Sequence, residues 1–224
     1  MSKERKIKQR IYKGFVFKLR SGYFEGKVVH DEIMKEEYYR IPENPKVVID
    51  VGAHVGGTAI LCASLGATVY AYEPMQSTFD ILLDNIVLNK AKITGKIYCF
   101  DKAIGTPCQR KLYHHSTNSG ASSLWLFTKG TDKEDWEMVD VISLKQVFEE
   151  NNIKHCDLLK LDCEGAEFEI LYDTPKEVFD KIGQISLEWH YKDKENIVKL
   201  VKFLSQFYRV DKPTRGYMLF CYKK

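Results

Sequence analysis

Residues 47–74 read VVIDVGAHVGGTAILCASLGATVYAYEP, and this stretch decides the fold. A run of β-branched residues ends in a turn containing Gly52, Gly56 and Gly57, a helix of small apolar residues follows, and a second apolar run ends at Glu73. Strand, tight turn, helix and strand in that order form the βαβ unit of a parallel sheet. The glycines let the backbone turn sharply and approach a ligand without Cβ obstruction, at the positive end of the next helix. Ligands of open α/β sheets lie over the carboxyl ends of the strands. Glu73 stands twenty-three positions after Asp50, where an acid can accept hydrogen bonds from both hydroxyls of a ribose. The stretch therefore predicts a nucleoside ligand, against the competing reading of a tight turn that holds nothing.

The loop also discriminates between nucleosides. A dinucleotide fold carries G-x-G-x-x-G so that a pyrophosphate meets the helix N-terminus, whereas this loop is D-V-G-A-H-V-G-G. Asp50 would repel a pyrophosphate and suits a cationic amino-acid portion. That favours S-adenosylmethionine, which carries an ammonium and a sulfonium, over a nicotinamide cofactor.

Working outward, the prolines and asparagine of IPENP, residues 41–45, mark the one boundary. Residues 1–45 read as an N-terminal appendage and residues 46–224 as the main domain. In the appendage FVFKLRSGYFEGKVV alternates around Ser21 and Gly22, predicting a hairpin, and HDEIMKEEYYR predicts a short helix. The opening MSKERKIKQR carries five basic residues against one acid and reads as a solvated or frayed terminus. After the boundary the pattern predicts helices over 58–64 and 77–88, a strand in KIYCFDKAI, a pause over about 106–140, a strand in CDLLKLD, a helix opening near Gly165 and a strand in QISLEWH. Within the pause, KLYHH, SSLWLF and MVDVI read as extra strands or a flap near the sheet edge. A helix over 194–207 precedes FYRVD and YMLFCY, which a Pro-Thr-Arg-Gly turn makes antiparallel.

Composition sets the outer limits. The 224 residues, 44% hydrophobic and 29% charged, suit one globular domain with trimmings. A formal charge of +3 is too mild to argue for a nucleic-acid partner. No apolar run approaches a membrane span and no leader is apparent, so the expected location is the cytoplasm. Six cysteines without a CxxC pair read as reduced small hydrophobes.

Six pieces carry a family resemblance: VVIDVGAHVGGTA, YAYEPMQSTFDILLDNIVLN, FDKAIG, SGASSL, DLLKLDCEGAEFEIL and ISLEWH. In this order, over most of residues 45–190, they resemble the FkbM family of S-adenosylmethionine-dependent methyltransferases. The resemblance implies a Rossmann-like α/β class I methyltransferase fold: a seven-stranded, mostly parallel sheet with an antiparallel last strand and helices on both faces. It implies that Asp50, Gly52, Ala53 and Gly56 line the methionine part of the cofactor and Glu73 its ribose. Pro74 and Met75 would flank the adenine, and Asp101, Lys102 and Ala103 would reach its edge. His54 stands where family members often carry Asn, and as a loop histidine it reads as solvated.

LKLDCEGAEFEIL places Asp162 at the end of a buried strand, followed by Glu164, Gly165 and Glu167. Asp162 and Glu164 are expected to face the methyl group, against the alternative that they only cap the next helix. In ISLEWH, Glu188 and His190 share one side of a strand and Trp189 takes the other. His190 is a candidate to take the proton from an attacking hydroxyl, against a structural role beside a carboxylate. Asp162, Glu164 and His190 form the expected catalytic set. Acids and histidine together also suit a divalent metal, but residue types carry no distances, so no ligand is assigned. Residues 116–123 are expected to form part of the acceptor wall, His114 and His115 to be surface residues, and Tyr38 and Tyr39 either to lid the acceptor pocket or to pack on the sheet. The leading expectation is O-methylation of a small-molecule, sugar or glycolipid-like hydroxyl. The alternatives are methylation of RNA or another macromolecule and a non-catalytic nucleoside-binding module.

Overall fold

The computed structural model describes residues 6–35, 38–116, 118–124, 131–190, 194–211 and 216–224. The chain begins with a hairpin of β1 (Ile7–Tyr12) and β2 (Phe15–Arg20). Its turn is Lys13-Gly14, both at positive φ (45° and 81°), the geometry that matches the natural twist of a two-residue hairpin. This corrects the expected hairpin at Ser21 and Gly22, and Ile7–Arg10 are strand residues rather than a frayed terminus. Helix α1 (Glu25–Met34) takes up the second half of the expected hairpin and the start of the expected helix, whose Glu36 and Glu37 lie outside the described residues.

The central sheet is built from β3 (Val47–Val51), α2 (Gly57–Ser64), β4 (Thr68–Tyr72), α3 (Gln76–Leu88) and β5 (Lys96–Phe100), then β9 (Cys156–Leu161), α5 (Glu167–Asp173), α6 (Lys176–Phe179), β10 (Ile182–Glu188), α7 (Lys194–Leu204), β11 (Tyr208–Asp211) and β12 (Met218–Lys223). Between the two halves lie β6 (Ala103–Ile104), β7 (Cys108–His115), β8 (Thr131–Ile142) and α4 (Leu144–Glu150). The seven strands run in the order β11-β12-β10-β9-β3-β4-β5. β5, β4, β3, β9 and β10 are parallel, and β12 is antiparallel to both its neighbours. Strand order reverses between β3 and β9, the point where the following loops diverge and open a crevice. Of the segments in the pause, KLYHH ends β7 and MVDVI ends β8, the two pairing antiparallel; Trp125–Phe127 of SSLWLF lie outside the described residues. Pro213, Thr214 and Arg215 of the closing turn also lie outside them.

Helices cover both faces. Leu144, Phe148, Ile170, Leu171, Leu200 and Leu204 bury against one face of β3, β9 and β10. Ala59, Cys62, Ala63 and Leu82 cover the other face against Val48, Val69 and Leu158. The N-terminal hairpin packs on this second layer, with Phe17, Val29, Ile33, Ile60 and Ile81 in one cluster. Its open edge is paired by side chains of α3 and of Asn89, the residue that caps that helix's C-terminus. Asn89 accepts from the Val16 N–H (2.9 Å) and donates to its carbonyl (2.7 Å), and Asn85 accepts from the Lys18 N–H (2.6 Å) and donates to the Lys18 and Val55 carbonyls. Strand edges demand partners, and α3 supplies them to β2 while tying it to the loop after β3. Among the cysteines Cys62, Cys156 and Cys221 are buried, Cys99 and Cys163 half-buried and Cys108 exposed. Among the described residues no helix is long and apolar enough to cross a membrane.

Candidate active site

Three loops leaving the carboxyl edge of the sheet, after β3, β4 and β9, converge on one cavity. The β3 and β9 loops meet at Gly52, whose φ is +73°. Gly52 and Ala53 both donate to the Tyr72 carbonyl at 3.0 Å, and Asp162 N–H donates to the Val51 carbonyl at 3.1 Å. A Cβ on Gly52 would lie 1.8 Å from the Asp162 carbonyl oxygen, so only glycine permits this approach.

Beneath the loop sits a charge the sequence reading missed. Lys160 is 1% exposed; its Nζ lies 3.0 Å from Asp50 Oδ1, donates to the Gly52 carbonyl at 2.6 Å and stands over the Tyr39 ring at 5.3 Å. Burial works against the ammonium, but Asp50, Asp162 and Glu32 outweigh it and hold Lys160 above its ordinary value. Asp50, expected beside the ligand, is fully buried and faces Lys160, not the cavity. Ala53 is buried in the sheet layer. Gly56 does not line the cavity; its φ of +94° calls for glycine, and a Cβ there would meet the Leu82 side chain of α3 at 2.5 Å. Asp101 is exposed to solvent at the end of β5.

Gly52, Glu73, Pro74, Met75, Lys102 and Ala103 do line the cavity. Met75, Ala103, Leu112 and Leu124 form its apolar end, continuous with Val139 and Val141 of β8. Glu73 is 7% exposed; one oxygen accepts from His54 N–H (2.9 Å) and the other from Met75 N–H (3.0 Å). Burial pushes its carboxyl up to about 7 against these two hydrogen bonds. Hydroxyl donors from a ligand would favour the carboxylate, so ligand binding should release a proton near neutrality. Affinity for S-adenosylhomocysteine is then expected to climb as pH rises toward 7 and to level off above it, by up to about tenfold per unit. Calorimetry at pH 6.5 in two buffers of different ionisation enthalpy measures that proton; no buffer dependence would contradict it.

His54 corrects the expectation of a solvated residue. It is 6% exposed, lines the cavity and bonds Ser119 Oγ through Nε2 at 2.9 Å. Ser119 in turn donates to Glu25, which pairs with Arg20. From the segment expected to form part of the acceptor wall, Asn118, Ser119, Gly120 and Ser122 line this cavity. His114 is held between Asp135 (2.8 Å) and Glu137 (3.0 Å) of β8 and does not line the cavity; His115 is half-buried.

The far end of the cavity is acidic. Asp162 and Glu164 lie outside the following helix, whose N-cap position is Ala166, so the capping alternative does not describe them. Glu167, fully buried, does the local work: its carboxylate accepts from Cys163 N–H (3.1 Å) and Gly165 N–H (3.0 Å) and holds His190 Nδ1 at 2.9 Å. His190 Nε2 thereby faces Asp162 Oδ1 and Glu164 Oε2, both at 3.7 Å, and Glu188 Oε1 at 4.0 Å. Burial opposes the imidazolium, but Glu167, Asp162 and Glu164 outweigh it and raise His190 to about 10. These acids favour the imidazolium over the neutral ring that a proton acceptor requires. Asp162 is held below its ordinary value because Lys160, His190 and the Tyr39 hydroxyl outweigh its burial. Tyr39 OH donates to Asp162 Oδ2 at 2.6 Å, leaving Oδ1 toward His190. Tyr38 lines the cavity and donates to Glu188 at 3.3 Å; Tyr39 is buried and meets it edge to face at 4.8 Å. Tyr38 thus borders the cavity while Tyr39 packs in the interior. Asp162, Glu188 and His190 bring one ligand-type atom each within 4.8 Å of the others, a donor set a divalent cation could use.

The appendage contributes to this cavity as well. Glu32 of α1 lines it, is 4% exposed and accepts from Thr58 Oγ1 at 3.0 Å, with its other oxygen against Gly57. Burial, opposed by Lys160, pushes Glu32 up to about 8.

Strand order, glycine loop and the acid that follows β4 define a nucleoside-binding sheet of the class I methyltransferase type. Comparison with solved structures agrees at the level of fold. The chain is similar to a tRNA methyltransferase of M. jannaschii (15% identity, TM-score 0.51, 99% of this chain and 58% of that one) and to an rRNA methylase from Streptococcus thermophilus (9%, 0.50, 85% and 95%). Residues 50–214 match the Methyltransferase FkbM domain, and the chain belongs to that family of S-adenosylmethionine-dependent methyltransferases. Among characterised proteins it is similar to hexuronic acid methyltransferase AglP of Haloferax volcanii, 31% identical over 135 residues, and to methyltransferase sdnD of Sordaria araneosa, 25% identical over 197. Those matches cover 58% and 73% of this chain, and they span half of AglP and 74% of sdnD.

Proposed function

We propose that the protein transfers a methyl group from S-adenosylmethionine to a hydroxyl of a small polar acceptor, of sugar or glycolipid type. One observation carries this reading: the apolar slot, Glu73 and the Asp162–His190 cluster line a single cavity, so a nucleoside and a reacting hydroxyl would share it. The residues present fit the cofactor. Met75, Ala103, Leu112 and Leu124 offer an apolar slot for a base, Glu73 an acceptor for ribose, and the acidic surroundings suit a ligand bearing an ammonium and a sulfonium. AglP, named for a hexuronic acid, supports the sugar end of the acceptor range.

When bound, S-adenosylmethionine supplies an activated methyl group; the protein needs to position the acceptor and take its proton. Asp162 is the residue for that proton. Its Oδ1 carries no hydrogen-bond donor among the described residues, its carboxylate is kept ionised, and Tyr39 fixes its rotamer. The acceptor oxygen would take the methyl carbon as the carbon–sulfur bond breaks and S-adenosylhomocysteine leaves, and the proton of its O–H bond would pass to Asp162. His190, oriented by Glu167, keeps a positive charge beside the oxygen that is losing its proton. Residues 1–45 would serve as a wall of the cavity through Glu32 and Tyr38, and residues 46–224 as the methyltransferase domain.

Asp162→Asn is expected to lower turnover by about 10²–10⁴ while leaving S-adenosylhomocysteine affinity within a few-fold. Transfer of labelled methyl to neutral sugars, uronic acids and bulk RNA, each with and without a chelator, tests the reading. Hydroxyl-bearing sugars labelled by wild type and not by Asp162→Asn would support it; labelling of RNA alone would replace it. Loss of activity with chelator would assign a cation to the Asp162, Glu188 and His190 set.

A further inference from the structure

His54 takes no part in moving the proton, yet it is held from several sides. It sits at φ +52°, in the left-handed region, with its N–H on Glu73, and it is one of the residues that line the cavity. Ser119 has one hydroxyl hydrogen, and that hydrogen goes to Glu25 Oε1 at 2.9 Å. Glu25 is fixed in turn by Arg20, whose Nε reaches Oε1 and whose backbone N–H reaches Oε2, both at 2.6 Å. Arg20 is itself anchored on α3 by Ser77 Oγ (3.0 Å) and Thr78 Oγ1 (2.7 Å). With its hydrogen committed, Ser119 Oγ can only accept from His54 Nε2, 2.9 Å away. Nε2 therefore carries the ring hydrogen and Nδ1 the lone pair. That Nδ1 is buried and has no hydrogen-bond partner among the described residues. A buried acceptor left unpaired is costly and calls for an explanation. Burial also pulls the imidazole down to about 4, which keeps the ring neutral and the lone pair free at physiological pH.

We propose that His54 is a cofactor-positioning residue whose Nδ1 accepts a hydrogen bond from an O–H or N–H donor of the bound adenosyl ligand, its tautomer set through Ser119 by Glu25 and Arg20. The inference rests on the cavity being the S-adenosylmethionine site. It makes the end of β2 and the start of α1 part of that site, although Glu25 and Ser119 are 94 positions apart in the chain. The donor is a ribose hydroxyl or the amino group of the methionine part, both of which present the hydrogen that Nδ1 lacks.

The test compares wild type with His54→Phe, which keeps a flat ring and loses the acceptor, and His54→Asn, which keeps an acceptor and tolerates positive φ. Titration with S-adenosylhomocysteine should show about tenfold or greater weakening in His54→Phe, the scale of one lost hydrogen bond, and largely retained affinity in His54→Asn. Repeating it with 5′-methylthioadenosine separates the donors. Equal weakening assigns the ribose, and weakening seen with the homocysteine ligand only assigns the amino group. A His54→Phe protein that binds S-adenosylhomocysteine as wild type does would overturn the inference. Wild type that binds neither ligand would overturn the cofactor reading along with it. Nitrogen NMR of the His54 ring gives a readout independent of ligand and, in wild type, of how any variant folds. The Nε2–H tautomer is expected in wild type and a mixture in Ser119→Ala, whereas an Nδ1–H ring or an imidazolium in wild type at pH 7 would overturn the inference.

Discussion

Lys160→Met should destabilise the protein by about 3–5 kcal/mol, the penalty for breaking a buried ion pair from one side. Asp50 is fully buried and Lys160 is 1% exposed, so removing the ammonium leaves a carboxylate with neither water nor a counter-charge. The same ammonium bonds the Gly52 carbonyl, and its loss also frees the loop that approaches Asp162. Replacing both partners, Asp50→Asn with Lys160→Met, should recover much of the loss, since paired removal of buried charges is far cheaper than removing one. Urea unfolding of wild type, both single variants and the double variant measures the coupling. A Lys160→Met protein within 1 kcal/mol of wild type would show that Asp50 is neutral or hydrated in the folded state.

Gly52→Ala is expected to abolish cofactor binding and to cost several kcal/mol of stability, as strain and a backbone clash add. Its Cβ would lie 1.8 Å from the Asp162 carbonyl oxygen, and the obstacle is backbone, which cannot rotate aside. Relief requires the ends of β3 and β9 to part, and these two ends carry the glycine loop and Asp162. Gly216→Ala is the control. It also has positive φ (+94°) but meets nothing within 4 Å, so it should cost only the conformational term of about 1–2 kcal/mol. Equal effects of the two substitutions would mean that φ alone, and not the loop contact, makes Gly52 necessary.

The reach of sequence reasoning follows from what each signal reports. Buried parallel strands such as VVIDV and DLLKL announce themselves by apolar continuity, and glycine turns by composition, so the sheet and the position of the crevice were legible. The hairpin was misplaced because the basic residues of IKQRIY hide a strand whose side chains are mostly exposed, while Lys13-Gly14 was not recognised as a turn. EGKVVHDEIM, with its glycine and paired valines, has local preferences that packing on α2 and β2 overrides. The cavity residues split the same way. Glu73 and Asp162 directly follow strands and can be placed by position. Lys160 carried a readable signal, a lysine inside an apolar run, whose only escape from desolvation is a buried acid. The Arg20–Glu25–Ser119–His54 chain carried none, because it joins four residues whose proximity only the tertiary fold creates.

The central claim is that the cavity beside Gly52 and Glu73 binds an S-adenosyl ligand. Calorimetric titration of folded, ligand-free protein with S-adenosylhomocysteine, beside Glu73→Ala and an NAD control, tests it most directly. The account predicts binding by wild type, no binding of NAD, and a loss of about 1.4 kcal/mol or more in the variant, a tenfold effect. Wild-type protein that binds neither ligand, or a Glu73→Ala variant that binds S-adenosylhomocysteine unchanged, would contradict it.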